Sequence, residues 1–130
     1  MLKFNEIIMD EQNKPKEKIM LYGKEELYFS VSGLVDSQIR QADKNRVKRV
    51  CSALLLFCFD KKLLKEIPFD SNGELRRNYD VYERHLTRIG KLYFYDLSEK
   101  WLVYTDRTNK IDNVKILEKW YSKLIEPNEN

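Results

Sequence analysis

An aspartate and a lysine two positions apart, Asp60 and Lys62, follow the longest apolar run of the chain. Some metal-dependent nucleases place an acid-x-Lys pattern after a buried strand, and an upstream aspartate completes a divalent-cation site. Asp36 or Asp43 would have to be that upstream acid. The pattern is short, and turns often contain such residues. We therefore predict no catalytic residue, no metal ligand and no cofactor, and keep a metal-dependent nuclease as a minor hypothesis.

His85 is the only histidine of the chain. A catalytic histidine needs a nucleophile or a carboxylate facing it. Asp80 and Glu83 lie on the same predicted helix, at spacings that do not bring side chains together. The sequence also lacks a Gly-x-Ser-x-Gly turn and a glycine-rich phosphate loop. We interpret His85 as a surface or boundary residue.

The two cysteines, Cys51 and Cys58, both lie in the apolar run Val50–Phe59. In a strand their odd separation places them on opposite faces, so they cannot pair with each other. The run is too short for a bilayer crossing, and the N-terminal residues do not resemble a secretory signal. These features predict reduced core cysteines in a cytoplasmic protein.

Basic residues are concentrated in one segment that contains a single acid, Asp43. They are Arg40, Lys44, Arg46, Lys48 and Arg49. Such a cluster could follow nucleic-acid phosphates. It lacks the interleaved aromatic residues of single-strand binders, and the net charge of the whole chain is only +3. A solvated basic edge and a contact with an acidic surface of another protein are the alternative interpretations.

Tyrosine and tryptophan are abundant, with eight and two residues, and both types are favoured at protein interfaces. Most of these rings are expected in the core. The predicted partner-contacting residues are Tyr93, Tyr95, Tyr104, Trp120, Tyr121, Arg77, Arg84 and Arg88. The arginines come from a mixed-charge row that also has a simpler interpretation as solvent-facing surface.

Short apolar or alternating segments predict about seven strands. They lie at Lys3–Met9, Ile19–Tyr22, Leu27–Val31, Val50–Phe59, Leu63–Phe69, Lys91–Asp96 and Lys100–Asp106. The uncharged segment Val50–Phe59 is expected to be the central strand, and the last two strands are expected to form a hairpin.

Two helices are predicted at about 72–89 and 112–125, and a third at about 34–48. Ser71 and Glu74 match a capping box, an apolar stripe follows them, and Gly90 supplies a stop. Asp112 and Asn113 can cap the last helix.

The chain has 130 residues, of which 42% are hydrophobic and 35% charged, so it is too apolar for disorder. These values predict one domain at 1–126 and a polar tail at 127–130. The expected fold class is α+β, with a mostly antiparallel sheet and helices packed on one face.

The chain is small and lacks a catalytic motif. These features favour the hypothesis that it is a non-enzymatic protein that binds another protein. The narrower expectation is a small bacterial inhibitor, such as an immunity protein that binds and neutralises a paired toxin. The alternative is a nucleic-acid-binding or nucleic-acid-processing protein that uses the Arg40–Arg49 cluster. An enzyme without a linear signature is a third hypothesis.

Overall fold

The computed structural model describes residues 26–76 and 79–126, and in these ranges most residues are helical. The elements are β1 (Leu27–Ser30), α1 (Val31–Asp36), α2 (Gln41–Asp60), β2 (Asp80–Tyr82), a 3-10 turn (Glu83–His85), α3 (Arg88–Thr108) and α4 (Lys115–Ile125). β1 and β2 form an antiparallel pair, with Ser30 opposite Asp80.

The core lies between the two long helices, α2 and α3. Trp101 of α3 is fully buried, and its indole Nε1 donates a hydrogen bond to the Val50 carbonyl of α2 at 2.9 Å. Phe94, also fully buried, meets Phe29 of β1 edge to face. The two-stranded sheet therefore packs against α3.

The connection after α2 positions the start of α3. Leu63 N–H donates to Cys58 O and Lys62 N–H to Phe59 O, so α2 ends in a Schellman motif with Lys62 at φ 66°. Thr87 caps α3: its hydroxyl donates to Lys62 O at 2.7 Å and accepts from Gly90 N–H at 3.0 Å. These bonds tie the end of α2 to the first turn of α3.

A carboxylate connects the strand pair to α1. Asp80 of β2 accepts hydrogen bonds from the Ser30 hydroxyl and from both the backbone N–H and the hydroxyl of Ser32. Ser30 also caps α1, because its hydroxyl accepts from Gly33 N–H at 2.9 Å.

Helix α4 packs across α2 and α3. The Tyr121 ring meets Phe57 of α2 and Tyr93 of α3 edge to face. Glu118 forms an ion pair with Lys61 at 2.8 Å. These contacts fix both the position of α4 and its rotation about its own axis.

The prediction of a mostly antiparallel fold with about seven strands is wrong, since the described residues contain two strands in one sheet. Val50–Phe59 is the second half of α2 rather than a central strand. The predicted hairpin over Lys91–Asp96 and Lys100–Asp106 is the single helix α3. Buried residues at mixed spacings of three and four explain both helices, because a strand buries alternate positions.

The prediction of a helix at about 72–89 is also wrong. Asp70 starts a turn instead, in which its carboxylate accepts from the N–H groups of Asn72 and Glu74. Gly73 has φ +80°, a conformation that an α-helix excludes. Gly90, predicted as a helix stop, lies in the first turn of α3.

Other predicted elements lie close to observed ones. β1 covers most of Leu27–Val31, and α4 begins at Lys115 rather than at about 112. The predicted helix at 34–48 overlaps α1 and the start of α2. The predicted segments Lys3–Met9 and Ile19–Tyr22, and the tail 127–130, lie outside the described residues.

We expect Gly90→Ala to lower the free energy of unfolding by about 2 kcal/mol. A Cβ at this position would lie 2.1 Å from the Leu63 carbonyl oxygen, so α3 would have to move away from the chain that follows α2. Urea denaturation measures the effect. Gly73→Asn is the control, because a Cβ there meets no atom within 4 Å and asparagine tolerates positive φ better than most residues. Equal stability of Gly90→Ala and wild type would contradict this packing.

Candidate functional site

A surface groove of about 670 Å³ lies between the second half of α3 and helix α4. We call it the α3–α4 groove; it is lined by Glu99, Lys100, Val103, Tyr104, Arg107, Thr108 and Trp120. Val103 is 51% exposed, whereas Tyr104 and Trp120 are partly buried. The groove therefore offers an aromatic and aliphatic surface that side chains of this chain cover only in part.

The rings of the groove are held in place by the core. Tyr104 stacks on buried Trp101 with centroids 6.0 Å apart, and Trp120 stands perpendicular to Tyr104 at 5.7 Å. The Tyr104 hydroxyl accepts from the Asn113 side-chain amide at 2.7 Å. A rigid aromatic surface loses little conformational entropy on binding.

Cations lie on both sides of the groove. Lys100 and Arg107 line its α3 side. A helix turns by about 100° per residue, which places exposed Lys119 and Lys123 on the flank of α4 next to Trp120. Glu118 lies on the opposite flank, where it pairs with Lys61.

Two acids moderate this positive charge. Asp96 lies 3.4 Å from Lys100. Tyr95 donates a hydrogen bond to Glu99 at 3.0 Å, and it lies on the outer side of α3, so the bond draws this carboxylate away from Trp120. Burial raises the pKa of Tyr95, and Glu99 raises it further, so the phenol stays protonated as a donor. The lining itself carries one acid, Glu99, and two cations, Lys100 and Arg107.

The predicted partner-contacting aromatics are divided by the fold. Tyr104 and Trp120 meet in the groove, whereas Tyr93 and Tyr121 contact each other under α4. Tyr95 is exposed on the outer side of α3.

The predicted arginines lie away from the groove. Arg88 begins α3 at its other end, and Arg84 covers the Tyr82 ring at 4.9 Å. Arg77 lies outside the described residues.

The Arg40–Arg49 cluster is divided between two flanks of α2, and four of its five members have partners within the protein. Arg46 donates to Thr105 O at 2.7 Å and to Asn109 Oδ1 at 2.8 Å, which caps the C-terminal end of α3. Arg49 pairs with Asp112 at 3.1 Å. These two arginines connect α2 to the segment between α3 and α4.

The other three members lie nearer α1. Arg40 pairs with Asp43, which lowers the pKa of that carboxyl group chiefly through the hydrogen bond between them. Lys44 donates to Val35 O at 3.2 Å, and Lys48 is exposed. The cluster is not a continuous phosphate-binding surface.

A second concavity of about 440 Å³ surrounds His85. Both imidazole nitrogens are engaged: Nδ1 accepts from Tyr82 N–H at 3.0 Å, and Nε2 lies 3.2 Å from Glu66. Arg76 lies 3.8 Å from the same carboxylate. These contacts fix the orientation of the imidazole ring between β2 and Glu66, which is a structural role.

A buried phenol adjoins this concavity. Tyr79 Oη is buried without a hydrogen-bond partner among the described residues, and burial raises the pKa of Tyr79 to about 12. Glu66 contributes to this rise, and Arg76 and Arg84 oppose it, so the phenol remains protonated near neutral pH. We assign it no catalytic role.

The acids of the nuclease hypothesis are far apart. Asp43 and Asp60 lie near opposite ends of α2, about 25 Å apart at the usual rise per residue. Asp36 ends α1, beside the N-terminal half of α2. In the ranges 26–76 and 79–126, no group of three His, Cys, Asp or Glu residues is placed to hold a metal ion.

Cys51 and Cys58 are both buried and free. They lie two turns apart on one face of α2, not on opposite faces of a strand as predicted. Burial raises the pKa of Cys51 to about 12 and raises that of Cys58 as well. Protonated thiols are poor nucleophiles, so both behave as small apolar residues.

Sequence reasoning missed most of the groove. It identified Tyr104 and Trp120 but not Lys100, Val103 or Arg107 on α3, nor Lys119 and Lys123 on α4. The spacing Lys100, Tyr104, Arg107 follows one side of a helix and would have grouped these residues once α3 was recognised.

Comparison of the chain with protein-family models, with curated proteins and with solved structures finds no match. Among the helices of the described ranges, none is both long and apolar enough to cross a bilayer.

We expect Arg46→Ala to lower the free energy of unfolding by about 1–3 kcal/mol, because it removes two charge-assisted bonds at the end of α3. Arg49→Ala removes an exposed ion pair and should cost less than about 1 kcal/mol. Lys48→Ala is the matched control on α2. Thermal and urea denaturation give the ranking, and three equal values would argue against the capping role.

We expect stability to fall as the pH rises above about 8.5, where thiols of the unfolded chain ionise. In the folded protein the Cys51 thiol keeps its proton up to a pH of about 12. Between these two pH values, thiol ionisation therefore stabilises only the unfolded state. Each thiol should contribute about 1 kcal/mol per pH unit. Urea titrations between pH 7.5 and 10 should show a shallower pH slope for Cys51→Ala/Cys58→Ala. An unchanged slope would contradict the shifted pKa values.

Proposed function

We propose that this protein is a non-enzymatic protein-binding module and that the α3–α4 groove receives a segment of its partner. The supporting observation is the juxtaposition of Tyr104 and Trp120 with exposed Val103 and, at the edge of the groove, Arg107. Tryptophan, tyrosine and arginine are the residue types that dominate binding energy at protein interfaces.

Rigidity of the groove supports the same proposal. Tyr104 is fixed by Trp101 on one side and by Asn113 at its hydroxyl. A partner side chain could therefore cover Trp120 without first ordering the surface that receives it. A preorganised surface retains more of the contact energy as affinity.

The chemistry of the remaining candidates favours binding over catalysis. His85 uses one nitrogen for Tyr82 and the other for Glu66. Cys51 and Cys58 are buried thiols of raised pKa. Each of these groups has a structural explanation that needs no substrate.

The nucleic-acid alternative has less support than a protein partner. Arg46 and Arg49, central to the Arg40–Arg49 cluster, are engaged at the end of α3 and at Asp112. The narrower expectation of a toxin inhibitor such as an immunity protein has no support among the described residues, and the proposal does not extend to it.

Affinity purification from the native cell tests the proposal with two variants of matched composition. Val103→Asp/Arg107→Glu alters the groove, and Leu92→Asp/Arg88→Glu makes the same kinds of change near the start of α3. All four side chains are exposed, so both variants should fold. We expect wild type and the control variant to recover the same partner protein in similar amounts. The groove variant should recover at least about tenfold less of it, which corresponds to a loss of about 1.4 kcal/mol in binding free energy.

Circular dichroism and urea denaturation would confirm that both variants are folded. Equal recovery of the partner by the groove variant and by wild type would refute this use of the groove. Absorbance at 260 nm in the eluate, lost on addition of salt, would favour nucleic acid instead.

A further inference from the structure

We propose that the α3–α4 groove binds an acidic segment that inserts one aromatic or aliphatic side chain against Trp120. This inference rests on the proposed function and specifies the chemistry of the partner. It is carried by two observations. The first is the apolar surface of exposed Val103 and partly buried Trp120. The second is the pair of cations in the lining, Lys100 and Arg107, together with exposed Lys119 and Lys123 on the adjoining flank of α4.

The charge distribution gives the sign of the ligand. Lys100 and Arg107 line one wall, and Lys119 and Lys123 follow one flank of α4, so an approaching segment meets positive charge from two directions. Glu118, the acid in the first turn of α4, is held on the other flank by Lys61. An acidic segment is therefore attracted, and a basic one is repelled.

The apolar surface indicates the anchor. Val103 is 51% exposed beside Trp120, whereas aliphatic residues facing the core, such as Leu97 and Leu117, are fully buried. An aromatic or branched aliphatic side chain laid over Trp120 and Val103 would remove both from water. Desolvated apolar contact at the centre with charge at the rim is the usual arrangement of a tight interface.

The length of the groove limits the segment. From Lys100 to Thr108, α3 advances about 12 Å, which an extended chain spans with about four residues. A short linear motif is thus sufficient, with one anchor and acids on either side.

Ring geometry favours a peptide over a nucleic acid. Binders of single strands offer open aromatic faces on which bases stack. Here Tyr104 gives one face to Trp101, and its perpendicular contact with Trp120 covers part of another face.

Fluorescence anisotropy with four labelled probes tests the inference on the full chain. The probes are an eight-residue peptide with six acids around a central Phe-Leu pair, the same peptide with Ser-Ser at the centre, a lysine version of the first, and an oligothymidylate. We expect the acidic Phe-Leu peptide to bind most tightly, with affinity that falls as salt shortens the Debye length.

Two charge-reversal variants locate the binding. Lys119→Glu/Lys123→Glu should weaken the acidic Phe-Leu peptide at least about tenfold, because it reverses the charge of one wall. Lys48→Glu/Lys65→Glu is the control, because it makes the same charge change at two exposed lysines outside the groove. The NMR signal of the Trp120 indole should shift on binding, whereas that of buried Trp101 should move little.

Several outcomes would overturn the inference. They are equal binding of the acidic and lysine peptides, undiminished binding to Lys119→Glu/Lys123→Glu, or no binding of any peptide. Oligothymidylate binding in place of the acidic peptide, lost in the same variant, would assign the groove to nucleic acid.

The proposed function can stand when this inference fails. The cellular partner would then be lost on Val103→Asp/Arg107→Glu yet retained on Lys119→Glu/Lys123→Glu, and the acidic peptide would not displace it. Retention of that partner by the Val103→Asp/Arg107→Glu variant would instead refute the use of the groove itself.

Discussion

The hydrogen bond from the Trp101 indole to the Val50 carbonyl is the interaction on which the rest of the structure depends. Both residues are buried, so the indole N–H would have no water to replace a lost partner. An unsatisfied buried donor costs about 1–3 kcal/mol, a large fraction of the stability of a small domain. The bond therefore fixes how α3 lies along α2, and Arg46 strengthens the same alignment from the end of α3.

The groove inherits its geometry from that alignment. Trp101 supports Tyr104, Tyr104 stands perpendicular to Trp120, and α4 is held by Tyr121 and by the Lys61–Glu118 pair. A substitution in the core that shifts α3 would thus alter the groove without touching it. A binding assay on a core variant therefore needs a separate measurement of its structure, so that a change in the groove is not mistaken for the loss of a direct contact.

Sequence periodicity was sufficient to predict some of the helices and strands, whereas for other segments it led to the wrong type of element. The alternating segment at β1 and the apolar stripe of α4 each match one periodicity. Val50–Phe59 is rich in leucine and contains one β-branched residue, a composition that favours a helix over a strand. The segment is uncharged even where it meets solvent, as at Leu56, which is 49% exposed, and this made it resemble a strand buried on both faces. Gly73 could not have been placed from its capping-box context, because its turn depends on the Asp70 side chain.

The candidate site shows why residue types were easier to predict than their grouping. Aromatic abundance pointed to Tyr104 and Trp120. The tyrosines Tyr93, Tyr95 and Tyr104 were predicted to contact one partner, whereas α3 turns Tyr95 away from the other two. The cations were missed because Lys100 lies on α3 and Lys123 on α4, two helices that come together only through tertiary packing. A surface formed by two helices has no signature in the linear sequence. Its two aromatic residues, Tyr104 and Trp120, can nevertheless be recognised as candidates from their residue types alone. The same packing leaves part of the Trp120 ring exposed to water, which is unfavourable because the ring is largely apolar. A partner that covers the ring would remove this surface from water, and the resulting free energy would contribute to binding.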